Sequence, residues 1–439
     1  MKNLQLVYWS ITVALGGFLF GLDTAVISGA EQTIQKLWNL SDFMHGLAVA
    51  GALYGTVIGA LFGGVPADRI GRKRTLFWIG VLYIVSAAGA ALAPEVNSFL
   101  FFRFLGGIGV GASSVVAPLY ISEIAPAKSR GQLVALFQFN IVLGILIAYV
   151  SNYLLQGAGP NDWRWMLGVV AFPSLLYTIM VLFVPESPRW LILKRNKVDE
   201  ARAILRISDP DSTEEVVQSI IASGNESRQS PKASLFASKY RIPVLLAFLF
   251  AFFNQWSGIN AIIYYAPRIF ESAGLDKSSA LLSSAGIGLV NLIFTMVGIT
   301  LIDRFGRKVL MYVGSFGLIL ALGLVSRAYF TEEFGGVPIF LFGFIAFFAF
   351  SQGAVIWVFI SEIFPNEVRA SGQSFGSFTH WIFAAIIANI FPYFADIFGG
   401  GYIFLFFSFM MVLQLLYVWR MMPETKGVSL EDLQKHLIK

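Results

Sequence analysis

One acidic residue interrupts a long apolar stretch near the start of the chain. Asp23 lies in the segment ALGGFLFGLDTAVISGA, residues 14–30, in which every other residue is uncharged. A charge inside an apolar helix is energetically costly, and in membrane proteins it usually marks an ion or proton pathway. Arg103, in a later apolar block, has the charge needed to neutralise it. The pair predicts either proton-transfer chemistry or a fixed structural ion pair.

Amide and hydroxyl side chains interrupt another apolar block. Asn260 and Tyr264 are four residues apart and share one face of a helix. Gln255 lies about 140° from Asn260 on a regular helix. Gly258 lies between the two amides, and glycine permits a local break in a helix. A broken helix at this point would bring both amides to one cavity.

The composition indicates that these side chains belong to a membrane protein. The 439 residues are 56% apolar and 13% charged, and the mean hydropathy is +0.71; soluble domains are rarely so apolar. The apolar blocks have about the length of membrane-spanning helices and are too long for barrel strands. The chain has no cysteine, which excludes disulfides and cysteine metal sites. With no nucleophile–base set, metal cluster or Walker loop in the sequence, we expect no enzyme, no cofactor, no metal and no ATP drive.

The apolar blocks define the predicted domains. We expect a first six-helix bundle at 1–184, a cytoplasmic linker at 185–242, a second bundle at 243–422 and a cytoplasmic tail at 423–439. Within the linker, KVDEARAILRI predicts a short amphipathic helix, whereas SDPDSTEE and SGNESRQSP predict exposed loop. The twelve predicted spans are 7–29, 44–65, 75–93, 99–120, 131–154, 164–184, 243–268, 278–302, 308–330, 337–362, 371–397 and 401–422.

The charges of the connecting loops predict the orientation in the membrane. Lys and Arg concentrate in the connections that follow the even-numbered spans, whereas the opposite loops are poor in them and contain acids such as Glu31 and Glu95. The positive-inside rule therefore places both termini and the linker in the cytoplasm. These basic loops also account for the net charge of +5 without a nucleic-acid-binding surface. No cleavage site follows the first block, so we expect a permanent first helix.

Three motifs occur twice at nearly constant offsets of 235, 239 and 238 residues. The pairs are ADRIGRKR with IDRFGRK, YISEIAPAKSRG with FISEIFPNEVRASG, and PESPR with the weaker PETKG. Each repeat contains an even number of spans, which makes the halves parallel repeats. Parallel six-span repeats are the arrangement of major facilitator transporters, in which the substrate binds between the halves near mid-membrane.

These motifs, together with NQWSGINAIIYY, resemble the sugar porter family of the major facilitator superfamily. The segment GGFLFGLDTAVISG is especially similar to that of bacterial sugar–proton symporters. The DRxGRK motif alone is common in the superfamily, but PESPR, QxSGIN and PETKG make the resemblance specific to sugar porters. It covers nearly the whole chain. It implies an all-α membrane protein of twelve transmembrane helices in two parallel-repeat bundles, the major facilitator fold.

The resemblance implies that Asp23 carries a proton and that Arg103 is its partner. Counted along the predicted spans at 1.5 Å per residue, they lie about 9 Å and 6 Å below the outer surface, so a pair is geometrically possible. With Arg103 close, Asp23 favours the ionised form; with Arg103 withdrawn, burial favours the protonated form. Alternating access would supply both arrangements.

The resemblance also implies a binding site for a monosaccharide. A sugar has many hydroxyls and apolar C–H faces, which amides and aromatic rings recognise. Asn254 replaces a more usual glutamine and His380 a more usual amide, and both changes can alter which sugar fits. The alternative interpretation is that these amides hydrogen-bond neighbouring helices and that the aromatic residues lie at the membrane interface. His380 would then be a titrating group rather than a sugar ligand. The predicted site residues are Phe20, Gln138, Asn254, Gln255, Asn260, Tyr264, Asn291, Gly353, Trp357, His380 and Trp381.

Acids and bases recur at the inner ends of the helices in both halves. One interpretation is that they set topology and solvation, since surface ion pairs contribute little. The resemblance implies instead a conformational latch that closes the inner face while the outer face is open. The predicted latch residues are Asp68, Arg69, Arg72, Glu123, Arg130, Glu186 and Arg189 in the first half, and Asp303, Arg304, Arg307, Glu362, Arg369 and Glu424 in the second.

The sequence therefore predicts a monomeric sugar–proton symporter of a bacterial inner membrane. Its expected partners are a monosaccharide, either hexose or pentose, a proton and the lipid bilayer. The alternatives are an uncoupled facilitator, which the Asp23–Arg103 pair disfavours, and a non-transporting sugar receptor, for which we expect a longer cytoplasmic tail. Drug export is disfavoured because the polar cavity candidates are amides rather than acids.

Overall fold

The computed structural model describes residues 2–126, 130–229, 234–365 and 367–428, together with residues 433 and 437. Within these residues all regular structure is helical, and eleven helical segments are long and apolar enough to cross a membrane. The helices of the first half are α1 Lys2–Leu37, α2 Asp42–Phe62, α3 Gly64–Ile70, α4 Arg72–Leu92, α5 Val96–Ile124, α6 Arg130–Leu155, α7 Asp162–Gly168 and α8 Ala171–Val181.

Three short helices follow, and then the second half. The linker helices are α9 Pro188–Arg195, α10 Val198–Ser208 and α11 Thr213–Gln229. The second half contains α12 Arg241–Trp256, α13 Ile259–Ser272, α14 Lys277–Phe305, α15 Arg307–Thr331, α16 Val337–Phe348, α17 Ala354–Ile363 and α18 Arg369–Arg420. A π-helical turn, Ala349–Gly353, joins α16 to α17, and 3₁₀ turns precede α12 and α16.

The last helix contains two of the predicted spans. α18 has 52 residues, and an unbroken helix of that length would be about 78 Å long, more than twice the thickness of the hydrocarbon core. At Gly399 the backbone leaves helical geometry, with φ of 76° and ψ of 160°. The two arms on either side of Gly399 correspond to spans 11 and 12, so the helical segments agree with the predicted number of twelve.

Two predictions about helix limits are wrong. α1 continues to Leu37 rather than ending at residue 29, because no glycine or proline follows Gly29 before that point. Glu31, which the sequence places in an outer loop, is therefore inside a helix and fully buried. In the linker, α11 occupies part of the predicted loops. Its helical spacing of apolar residues buries Val217 and Ile220, a pattern that the polar flanking residues obscure.

Glycines allow the helices of the first half to pack closely. A side chain at Gly55 would collide with the carbonyl oxygen of Phe104, and one at Gly59 with that of Ile108. From α5, Gly107 approaches the backbone of α2 in the same way. Without a hydrophobic driving force between helices in lipid, such backbone contact is a main source of association. It makes each bundle a closely packed body.

The two halves meet along α2 with α18, α6 with α14 and α1 with α13. At the end of α2 predicted to face outward, Gly46 contacts the carbonyl oxygen of Asn389, where a side chain would not fit. Deeper in the interface, the Tyr149 hydroxyl donates to the carbonyl of Ile263 at 2.6 Å. The halves are therefore in close contact at the outer end.

Candidate substrate and proton site

Asp23 and Arg103 form a buried ion pair inside the first half. Arg103 Nη1 lies 2.8 Å from Asp23 Oδ1, and its Nη2 donates to the Asp23 backbone carbonyl at 3.3 Å. The two residues are 3% and 1% exposed. Asp23 Oδ2 has no hydrogen-bond partner in the described part of the chain. The carboxylate is therefore paired with a cation through one oxygen, while its other oxygen makes no described hydrogen bond.

A tyrosine from the second half reaches this ion pair. Tyr264 of α13 is 1% exposed, and it lies within electrostatic reach of Asp23 and Arg103. Thr24 donates to the carbonyl of Phe20 at 2.8 Å. The charged pair in one half is thus in contact with the other half, so a change in its charge acts on the interface between the halves.

The predicted break in span 7 is confirmed, and it joins two amides. α12 ends at Trp256, Gly258 has a φ of 86°, and α13 begins at Ile259. Only glycine adopts that left-handed backbone readily. Across the break, Asn260 Nδ2 donates to Gln255 Oε1 at 2.5 Å. The two side chains, which a straight helix would hold apart, therefore lie in one group.

Gln255 connects this group to α18 and to Asn254. Its Nε2 lies 2.8 Å from Asn254 Oδ1 and 3.2 Å from each ring nitrogen of His380. Asn254 in turn donates weakly, at 3.5 Å, to the carbonyl of Gln352 in the π-helical turn. These amides are nearly fully buried. They form a set of donors and acceptors suited to the hydroxyls of a neutral ligand.

Aromatic rings flank His380 on two sides. The Trp357 ring centroid lies 4.9 Å from that of His380, and the Trp381 centroid lies 4.7 Å away. Phe20, from the first half, packs against Trp381 at 5.5 Å. Aromatic faces beside buried amides provide apolar and polar contacts together, as a sugar ring requires. The group contains residues from both halves.

Three predicted site residues lie apart from this network. Gly353 ends the π-helical turn, a type of defect that is frequent at functional sites. Asn291, on α14, accepts a hydrogen bond from Thr295 at 3.3 Å, and Gln138 is half-buried on α6. Among the described contacts, neither Asn291 nor Gln138 hydrogen-bonds to the Gln255 group. The sequence did not identify Gln352, whose fully buried Oε1 has no described partner.

At the inner end of the first half, Arg72 is the centre of a buried charge cluster. It binds Glu123 through two hydrogen bonds of 2.9 and 3.1 Å and Asp68 at 2.9 Å. Glu186 accepts the backbone N–H groups of Arg72, Lys73 and Ser187. Burial raises the pKa of the Glu186 carboxyl, and these N–H donors oppose that shift.

The second half repeats the cluster residue for residue. Arg307 binds Glu362 at 2.8 and 3.2 Å and Asp303 at 3.2 Å. Glu424 accepts the backbone N–H of Arg307 at 3.0 Å. The Thr425 hydroxyl donates to Glu362 at 2.6 Å, as Ser187 does to Glu123 at 2.5 Å in the first half. The sequence repeat is therefore also a repeat of hydrogen bonds.

The remaining predicted latch residues make separate contacts. Arg369 Nε donates to the carbonyl of Phe364 at 3.2 Å, and Arg189 hydrogen-bonds Ser223 at 3.4 Å. Arg69 and Arg304 lie in the last turns of α3 and α14. The structure does not describe the side chain of Arg130. The ion pairs of the two clusters stay within their own halves in the described residues. The latch stays a prediction.

Sequence reasoning missed a charged cluster at the outer end. Glu31 of α1, His45 of α2 and Arg268 of α13 meet there, and the first two are fully buried. The available signal was an imidazole and a guanidinium inside predicted spans 2 and 7. It was overlooked because Glu31 was counted as a loop residue.

Two six-helix halves with buried amides, aromatic rings and a buried ion pair at their interface define a secondary membrane transporter. The sequence model of the family described as "Sugar (and other) transporter" matches residues 9–437. The chain belongs to this transporter family.

Relatives and solved structures agree with this assignment over nearly the full length. The arabinose-proton symporter of Bacillus subtilis is 36% identical over 98% of this chain and 94% of its own. The D-xylose-proton symporter of Escherichia coli is 34% identical over 97% of this chain and 94% of its own. The inward open conformation of the E. coli xylose transporter superposes with a TM-score of 0.88 at 32% identity, covering 99% of this chain and 100% of that one.

Proposed function

We propose that the protein imports a monosaccharide, a hexose or a pentose, together with a proton by alternating access. The observation that carries this proposal is the buried Asp23–Arg103 pair, with a 2.8 Å bond and a tyrosine of the opposite half beside it. Two of the relatives above are named as proton symporters of arabinose and xylose, which supports the same function here.

The proton step uses the unbonded oxygen of Asp23. With the outer face open, a proton from outside binds Asp23 Oδ2 and neutralises the carboxylate, which frees Arg103 from its strong charge-assisted bond. With the outer face closed, Arg103 binds the carboxylate again and the proton leaves toward the inside. The structure corresponds to this second arrangement, because the ion pair is formed and the halves are in contact at the outer end.

The sugar step uses the buried amides and rings. A monosaccharide replaces the bonds that Gln255 makes with Asn260 and His380, and its apolar face packs on Trp357 and Trp381. Since Phe20 and Tyr264 reach this region from opposite halves, a bound sugar draws the halves together. Sugar binding and protonation of Asp23 thereby act on the same interface between the halves.

The membrane arrangement follows from the loop charges and the relatives. We place the protein in a bacterial cytoplasmic membrane, with both termini in the cytoplasm and the Arg72 and Arg307 clusters at the inner face. It works as a monomer without a cofactor, driven by the proton gradient. The clusters act as a latch: they meet across the halves when the inner face closes and separate when it opens.

The test compares downhill and uphill transport in proteoliposomes. A panel of labelled hexoses and pentoses is first assayed by counterflow, which needs no gradient. With the preferred sugar and an imposed proton gradient, wild type accumulates sugar and alkalinises the medium. Asp23→Asn retains counterflow but loses accumulation, whereas Asp396→Asn, at an exposed carboxylate, keeps both. Undiminished accumulation by Asp23→Asn would refute the proton role of Asp23. Counterflow without accumulation by wild type would indicate a facilitator, and binding without counterflow would indicate a receptor.

A further inference from the structure

A second set of ionisable residues bridges the two halves, at the outer end of the molecule. Arg268 donates to both oxygens of Glu31, at 3.2 and 3.0 Å, and to Gln35 Oε1 at 2.5 Å. His45 Nε2 lies 2.6 Å from Glu31 Oε2. Glu31 and His45 belong to the first half and Arg268 to the second, so the cluster crosses the interface. Asp23 and Arg103 take no part in it.

The cluster is part of the contact that closes the outer face. His45 also packs edge-on against the Tyr265 ring of the second half, with centroids 5.9 Å apart. The Tyr265 hydroxyl donates to the carbonyl of Ala388 at 2.8 Å, and the neighbouring Gly46 contacts Asn389. Opening the outer face must therefore separate Arg268 from Glu31 and expose His45.

The closed arrangement is suited to a neutral His45. At 2.6 Å from the carboxylate a lone pair on Nε2 would be repelled, so the neutral tautomer carries its hydrogen on Nε2. Neither ring nitrogen makes a hydrogen bond of normal geometry in the described part of the chain, and Nδ1 is buried. A proton added to Nδ1 would thus be a buried donor without an acceptor, which is costly.

Charge balance leads to the same conclusion. Arg268 already neutralises Glu31 in the closed arrangement, so a protonated His45 would add a second cation, this one fully buried, to one carboxylate. The other groups near this end do not offer a compensating charge. Asp42 accepts a hydrogen bond from Gln35 and forms no ion pair with His45 among the described residues. Tyr265 is a neutral donor, and Arg103, which lies beside Gly51 of α2, is itself a cation.

We propose that His45 is a second proton-binding site, which opens the outer face when it is protonated. The proton adds to the lone pair of Nδ1, and the imidazole becomes imidazolium without any leaving group. Because the open form binds this proton and the closed form does not, acid outside favours the outward-open form. Each linked proton changes the open-to-closed ratio by up to about tenfold per pH unit. External acid would then prepare the carrier to load its substrates.

The experiment measures opening directly. The chain has no cysteine, so spin labels attach only at introduced Lys36→Cys and Lys277→Cys, two exposed sites at the outer ends of opposite halves. Distances between the labels are measured in nanodiscs from pH 8 to pH 5. The Asp23→Asn background removes the first proton site, and Asp396→Asn, at an exposed carboxylate outside both sites, serves as the control. The inference uses the two-state carrier of the proposed function, but this measurement needs neither sugar nor transport.

We expect the long-distance population to increase severalfold toward pH 5 in the wild-type, Asp23→Asn and Asp396→Asn backgrounds. In Asp23→Asn/His45→Gln the distances should no longer change with pH. A pH response that disappears in Asp23→Asn alone, or persists in Asp23→Asn/His45→Gln, overturns the proposal. If the variant with His45→Gln does not fold, the Asp23→Asn variant still tests the proposal. It retains His45, so the loss of its pH response would overturn the proposal. If the wild-type protein showed no proton-driven accumulation of sugar, that would contradict the proposed function but would not affect the measured pH dependence of opening.

Discussion

Replacing Arg103 with methionine removes the cation that holds the Asp23 carboxylate. Asp23 is 3% exposed and its bond to Arg103 is 2.8 Å long, so an ionised carboxylate would remain buried and uncompensated. Breaking a buried pair from one side costs about 3–5 kcal/mol. The variant avoids that cost when Asp23 holds a proton, because burial favours the neutral carboxyl. The Arg103→Met protein should therefore transport sugar without cycling a proton.

Two measurements on Arg103→Met test this argument. Counterflow in proteoliposomes should continue while uphill accumulation is lost. Thermal stability in detergent should fall as the pH rises from 5 to 8, because the variant must keep its proton to stay folded. The double variant Asp23→Asn/Arg103→Met has no carboxylate to protonate, so its stability should be independent of pH over this range.

The reasoning fails under either of two results. One is proton-driven accumulation by Arg103→Met at the wild-type level, which would mean that release of the proton does not need Arg103. The other is an equal pH dependence of stability in the single and double variants, which would mean that the carboxylate does not carry the cost.

Three further predictions concern other parts of the molecule. Gln255→Ala should weaken sugar binding about 10- to 100-fold through loss of its buried hydrogen bonds, measured by quenching of tryptophan fluorescence. Gly46→Val should prevent outer closure, so that binding persists and counterflow stops; Gly343→Val, where no atom lies within 4 Å of an added Cβ, is the control. Glu123→Gln should weaken the inner cluster and increase inner-face labelling of introduced cysteines, with Glu362→Gln as the matched change in the second half; unchanged labelling would argue against a latch.

The break in span 7 is predictable from local sequence, but the limits of α1 are not. Gly258 lies between two amides in an apolar block, and that arrangement is sufficient to predict a broken helix. Glu31 resembles a loop residue because its partner, Arg268, is 237 positions away. A buried charge is recognisable as buried only when its counter-charge is known, and helix limits set by such distant contacts escape a local pattern.

In the candidate site, too, some features are predictable from the sequence and others depend on contacts between distant helices. Asp23 and Arg103, 80 residues apart, were paired from similar predicted depth, opposite charge and the family resemblance, since few charges lie inside spans. The hydrogen bond between Gln255 and His380 depends on how α12 packs against α18, which no periodicity specifies. The linker helix α11 was missed because its polar residues outweigh its short apolar stripe.

The short helix α13 carries Asn260, Tyr264 and Arg268 in succession, beyond the break at Gly258. At Tyr265 the backbone leaves helical geometry, with φ of -116° and ψ of 19°, and Pro267 follows. The chain therefore bends twice, at Gly258 between the two amides and at Tyr265 between Tyr264 and Arg268. The two bends separate the amide group, the region of the Asp23 ion pair and the outer cluster into three segments of one chain, so each segment can shift with only a small movement of the next.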